Sequence, residues 1–292
     1  MNRKFFMLVF ITLFFIVSAQ AQLLWKVSGN GLSKPSYLFG THHLIDKEQI
    51  KDFDKILTLS GQVDAVVGEM DMTDMASMNA KIMQDAMMPG KNNIKEMISA
   101  EDFILVDSEL KQLMGAGLDQ LGAFKPMMLE AMYGVMVYLK SQNLTKQPEG
   151  IDVLFQKKAK ENNKPVIGLE TIQQQTDILF DSLPLNRQAE ILVKSVKEKQ
   201  KGIEMLKRLN EYYLAGDLQQ LSTLDKEEDD LTPAEKKPIY ENRNNNWMKQ
   251  IPLLIAKQSC FVAVGCMHLI GETGLIEQLR KAGFKVEGID KL

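Results

Sequence analysis

Two hexapeptides in the chain repeat one pattern: Gly40-Thr41-His42-His43-Leu44-Ile45 and Gly265-Cys266-Met267-His268-Leu269-Ile270 both read G-x-x-H-L-I. The sequence contains three histidines, and all of them lie in these two segments. Aligning the repeats pairs His43, rather than His42, with His268. Each hexapeptide follows directly on a β-prone apolar run, Ser36-Tyr37-Leu38-Phe39 and Phe261-Val262-Ala263-Val264, so each histidine is expected just past a strand end. A glycine there lets the backbone turn tightly and approach a bound group without a Cβ in the way. Two neutral imidazoles meeting at the C-terminal edge of an open α/β sheet are natural ligands for a divalent metal.

Two ligands are too few, and a catalytic centre usually adds a carboxylate and leaves a position open for water. Glu69 closes the apolar run Val63 to Gly68 much as His43 and His268 close theirs, with Asp71 in reserve by two-residue alternation. Glu170 ends a fourth run, Lys164 to Leu169, where it could act as ligand, base or orienting partner. Arg243 and Asn244 lie on a helix running toward Trp247 and are placed to donate hydrogen bonds to a developing oxyanion. Each has a plainer alternative: acids at strand-to-helix junctions also cap helices, and Arg243 and Asn244 could be ordinary helix-surface residues. His42 is expected to point away from its neighbour and to take a structural or supporting role. Cys266 beside His268 invites a nucleophile or soft-ligand reading, against which stand its counterpart Thr41 and the oxidation that an exported reactive thiol would suffer.

The elements that must position these residues read as an α/β fold, a central sheet flanked by helices. Two strands open the chain. From Met70 to Met88 the pattern turns helical, with Met70, Met72, Met75, Met78, Met83, Met87 and Met88 most simply filling a helical core. Helical signals continue to Ser141, giving a mostly helical insertion at about 72–148. A strand at 164–169, a charged helical stretch over 185–214 and a compact strand, helix and strand over 261–288 complete the core. The acidic run Asp225 to Asp230 is most simply a solvated surface.

With 292 residues, 25% charged and 45% hydrophobic, the chain is globular and long enough for one domain carrying a sizeable insertion, or for two domains. Its net charge of -3 offers no field for phosphate, so nucleic acid is not an expected partner. Arg3-Lys4, an apolar run from Phe5 to Val17 and Ser18-Ala19-Gln20-Ala21 form a cleavable leader over 1–21, too short to span a membrane. This implies export to a periplasm or beyond the cell, with no stable membrane anchor after cleavage. The two cysteines, Cys260 and Cys266, are too far apart along an extended run to bridge, so both are expected to be free.

Taken in order, these residues resemble the TraB/GumN family, which includes the Tiki metalloproteases and PrgY. The motifs carrying the likeness are Tyr37 to His43, Glu69, Gly150-Ile151-Asp152, Leu169-Glu170-Thr171 with Gln175 following, Arg243-Asn244 before Trp247, and Gly265 to His268 ahead of the helix from Gly274. Pro126-Met127 departs from the Pro-Trp often found in the family. The resemblance implies a mixed α/β core like that of the erythromycin esterase and haem-binding ChaN proteins, related folds. It also implies that the two G-x-x-H motifs and the acid form an active site. For the Tiki branch it implies metal-dependent peptide cleavage, with manganese or cobalt favoured and zinc compatible.

The expected activity is therefore that of an exported metal-dependent hydrolase, most consistent with a peptidase acting on peptide or protein. His43, His268 and Glu69 would hold the ion, with Glu69, Glu170, Arg243 and Asn244 contributing to the chemistry. The alternative is a non-enzymatic exported protein that uses the same histidines to bind metal, haem or peptide. The sequence sets no oligomeric state.

Overall fold

The computed structural model describes residues 22–90 and 92–290, and the leader expected over 1–21 lies outside them. Six strands form one sheet: β1 (Leu24–Ser28), β2 (Ser36–Thr41), β3 (Ala65–Gly68), β4 (Val166–Gly168), β5 (Cys260–Gly265) and β6 (Lys285–Gly288). Their order is β4-β3-β5-β2-β1-β6. The four strands β4, β3, β5 and β2 run parallel, while β1 is antiparallel to both β2 and β6, so the sheet is mixed as expected. Strand β1 has no counterpart in the sequence reading: Leu24-Trp25-Lys26-Val27-Ser28 is short, and its pairing with β2 and β6 depends on partners remote in the chain.

The parallel strands read as apolar runs because helices cover both faces. Successive residues alternate between two cores. Leu38, Val67, Val262 and Val264 pack with Trp247, Ile251, Leu275 and Leu279 on one face. Phe39, Val66, Phe261 and Ala263 pack with Ile151, Phe155, Phe53 and Tyr213 on the other. Phe155 is the centre of that second core, its ring centroid 5.2 Å from Phe39 and 4.8 Å from Phe261. The helix Ile151–Glu161 is thereby fixed against the sheet with its N-terminal turn at the strand ends.

A third core is wholly helical. It joins Val106, Leu110, Leu129 and Tyr133 from the inserted segment to Ala189, Leu192 and Val196 from beyond β4. The helical body is thus built from two stretches of chain. The stretch over 185–214 is two helices, Leu185–Lys197 and Lys199–Leu214, parted at Glu198. The methionine-rich segment packs less than its composition suggests: Met88 is buried, but Met75, Met83 and Met87 are exposed, and the helix Met75–Asp85 buries no residue. Both cysteines are free and buried, as expected. Among the described residues no helix is long and apolar enough to cross a membrane.

The opening ends of β3 and β5 are stapled. The Ser259 N–H and hydroxyl donate to Asp64 Oδ2 at 3.0 and 2.8 Å, and the Asp64 N–H donates back to Ser259 Oγ at 3.0 Å. These bonds, helped by Lys34, hold the Asp64 carboxyl at about 2, below its ordinary 3.8. The stabilisation is therefore complete above pH 3.8 and is lost as the pH falls toward 2. Asp64→Asn is expected to cost about 1 kcal/mol at pH 7, a modest value because the carboxylate is partly open to water. Urea midpoints at several pH values should show this gap narrowing below pH 4; a gap undiminished between pH 7 and pH 2.5 would rule out the charged staple.

Candidate active site at the strand ends

Strand register brings the chemistry together. Thr41 pairs with Gly265 across β2 and β5, so the two hexapeptides leave the sheet side by side. Gly68 pairs with Ala263 and Gly168, so Glu69 and Glu170 leave at the same edge. A Cβ on Gly40 would meet Cys266 Cβ and Leu269 Cδ1 at 3.0 Å, so the first glycine of the echo makes room for the second hexapeptide. Gly40→Ala is expected to destabilise by about 1–3 kcal/mol through overpacking, read as a lowered thermal midpoint. An unchanged midpoint would mean that Cys266 and Leu269 yield freely.

The strand ends open into a cavity of about 520 Å³ that His42, His43, Glu69, Asp152, Arg243 and His268 all line. Its deep wall is a network around the Arg243 guanidinium. Nη2 donates to Glu69 Oε2 at 2.6 Å, Nε donates to the Glu170 carboxylate at 3.0 and 3.2 Å, and Nη2 reaches Glu170 as well. Nη1 stands 3.1 Å from His268 Nε2. Arg243 also lies over the Trp247 ring, 4.7 Å from its centroid, and Trp247 Nε1 donates to Glu170 Oε2 at 3.3 Å.

Glu69 is further fixed by the Gly265 N–H, which donates to Oε1 at 2.8 Å, and by Gln175 Nε2, which donates to Oε2 at 3.2 Å. Burial pushes its carboxyl up, but Arg243, His268, His43 and the Gly265 N–H outweigh that and leave it at about 2. Glu69 is an anion at neutral pH. His268 is the reverse case, because burial lowers it to about 4 and keeps it neutral. Its Nδ1–H donates to Asn244 Oδ1 at 2.8 Å, the tautomer that leaves the Nε2 lone pair facing Arg243. Asn244 spends its own Nδ2 on the carbonyls of His268 and Thr273, at 3.1 and 2.9 Å.

His43 sits at the open side of the cavity, its side chain 66% exposed. Its Nδ1 lies 2.9 Å from Asp152 Oδ2, and that carboxylate raises the imidazole to about 9. His42 lines the same cavity but is packed into its wall: its ring packs edge-on to Tyr213 at 5.3 Å, its Nδ1 accepts from the Leu44 N–H at 3.2 Å, and burial lowers it to about 4. This supports a structural role. Burial pushes the Cys266 thiol up to about 12, which removes it as a thiolate nucleophile at neutral pH.

The sheet edge thus brings His43, Glu69, Arg243 and His268 to one cavity, with Glu170 and Asn244 behind them, bracing Arg243 and His268. Asn244 has no N–H left for an oxyanion. Asp71 is exposed and folds back to accept from the Thr73 N–H at 2.9 Å. Two contributors went unassigned in the sequence reading. Asp152 carries the signal of a buried acid in the first turn of a helix, and Gln175 follows a capping box at Thr171.

Over residues 23–288 the sequence matches the model of the TraB/PrgY/gumN family. The chain belongs to the TraB/PrgY/gumN family. No curated protein and no solved structure matches it at a comparable level. The metal expected from the family resemblance can be tested against the donors present. Each imidazole of this TraB-family site has its Nδ1 tied to an outer oxygen, Asp152 or Asn244, the arrangement that aims Nε2 of a ligating histidine. Glu69 supplies an ionised carboxylate. The donors fit a divalent ion in kind, with His43 releasing its proton on binding. They are not drawn into a closed shell: among the described residues, the group whose ligand atoms all lie within 4.8 Å of one another is instead Glu198, Asp229 and Asp230, a surface cluster. Arg243 Nη1 is the group that shares the His268 Nε2 face.

Proposed function

We propose that the protein is an exported metal-dependent hydrolase, a peptidase acting in a periplasm or outside the cell. The observation that carries this reading is the convergence of both G-x-x-H histidines and Glu69 on one cavity. A divalent ion held by His43, Glu69 and His268, with manganese or cobalt favoured over zinc, would polarise a carbonyl and bring the pKa of a water toward neutrality. The chain's own residues do the rest. Asp152 sets the direction of the His43 ring by holding its Nδ1. Gly265 and Gln175 hold the Glu69 carboxylate in place. Arg243 balances the charge of two buried carboxylates. Leu179, Leu206, Leu209 and Ile239 also line the cavity and would give a substrate apolar contact.

The test uses purified wild type, His43→Ala and His268→Ala with a peptide library and added manganese, cobalt or zinc. Metal-stimulated cleavage by the wild type, lost in both variants, is the expected result. Variants that cleave at the wild-type rate would end the proposal. A wild type that turns over nothing with any ion yet retains peptide or haem would replace it with the binding-protein reading.

A further inference from the structure

The acidic run Asp225 to Asp230, which composition alone assigns to solvated surface, lines a second cavity of about 700 Å³. Two residues, Tyr240 and Met267, line both this cavity and the one that holds the histidines. Both belong to the site's own framework. Met267 lies in the second hexapeptide immediately before His268, and the Tyr240 ring packs edge-on to the His268 ring with centroids 5.6 Å apart. Tyr240 is also the joint at which the helix Pro233–Ile239 ends and Glu241–Trp247 begins. Among the described residues its hydroxyl has no hydrogen-bond partner. A neutral donor thus stands where the two spaces abut.

The walls of the second cavity carry charge of both signs, four acids and three lysines, and most of it is engaged in ion pairs. Lys236 Nζ lies 3.3 Å from Asp225 and 2.8 Å from Glu228. Lys237 pairs with Glu241 at 3.4 Å, and Asp229 with Lys194 and Lys201 at 2.9 and 2.8 Å. Such a lining selects neither an anion nor a cation. It offers dipoles and apolar surface, which suit the uncharged polar backbone of a peptide. Each cavity alone lies within the roughly 300–1,000 Å³ that takes one drug-sized molecule. A ligand that fills both is a chain.

We infer that the two cavities form a single cleft for a polypeptide several residues long. Its reacting carbonyl lies beside His43 and His268, and its continuation passes Tyr240 and Met267 into the cavity of the acidic run. This rests on the peptidase reading of the site.

The test measures binding and cleavage in parallel, using end-labelled random pools of tripeptides and octapeptides with the full mature chain and added manganese, cobalt or zinc. The octapeptide pool is expected to bind, and to be cleaved, at least about 10-fold better than the tripeptide pool. Ser222→Trp and Lys237→Trp place bulk in the second cavity from two different helices, away from the proposed centre. Each is expected to erase the length preference while leaving tripeptides unaffected, with circular dichroism confirming the fold. Equal binding of the two pools, or a preference that survives both folded variants, would overturn the cleft. Length-dependent binding without cleavage would support the cleft and remove the hydrolase. Cleavage without length dependence would do the opposite, and a failure of both pools to bind would overturn the cleft directly.

Discussion

Replacing Arg243 by alanine is expected to destabilise the protein by about 3–5 kcal/mol at pH 7, the usual cost of stranding buried charge by removing one partner. Arg243, Glu69 and Glu170 have side chains that are only 8%, 10% and 7% exposed, so water cannot replace the guanidinium cheaply. The loss should shrink on acidification. In the wild type Glu69 titrates near 2 rather than at its ordinary 4.5, so its stabilising contribution is complete above pH 4.5 and fades as the pH falls toward 2. In the variant the same carboxylate is left with burial and no guanidinium, and it relieves its strain by taking up a proton. Denaturant midpoints for both proteins between pH 7 and pH 3 would therefore converge. Arg243→Lys should fall between the two, because a point charge cannot serve two carboxylates and an imidazole as a planar fork does. A variant as stable as wild type at pH 7 would show that the network contributes nothing to the fold.

The same residue shows how far the sequence could be read. The convergence of His43, Glu69 and His268 was legible because each follows an apolar run with a glycine at its end, and a parallel sheet delivers such ends to one edge. Arg243 and Asn244 were legible as contributors but not in their roles. A helix position does not reveal that Asn244 spends both amide protons on backbone carbonyls, or that Arg243 faces inward onto two acids rather than outward onto substrate. Strand β1 was invisible because five residues with one lysine carry little pattern, and its pairing is decided by β2 and β6. The methionines misled for a related reason: helical spacing marks the helix, but whether a face is buried depends on what packs there, and the helix Met75–Asp85 is largely uncovered. Asp152 was legible as part of a motif but not in its role, because an acid at a helix start also suits the helix dipole. Only the tertiary placement of Ile151–Glu161, fixed by Phe155 in the sheet core, shows that this acid faces His43.

That pairing sets the second large effect. Under the proposed hydrolase reading, His43→Ala is expected to lower kcat/KM for peptide cleavage by roughly 10²–10⁴-fold, the range for losing a group that acts at the reacting centre. Stability should fall modestly as well, because the variant leaves the Asp152 carboxylate, only 9% exposed, without its partner; that loss is fullest below pH 6.5 and shrinks as the pH rises toward 9. Asp152→Asn removes the carboxylate that holds Nδ1 but leaves the ring, so a loss of about 10–100-fold is expected, as for other partners that orient a ligating imidazole. The double variant distinguishes how the two act. If Asp152 works through His43, its substitution costs nothing further once the ring is gone, and the double variant matches His43→Ala. Independent roles would instead multiply the losses. Rates for wild type, both single variants and the double variant, measured with one peptide and one metal concentration, would settle the matter, and multiplicative losses would show that Asp152 does not act by orienting His43.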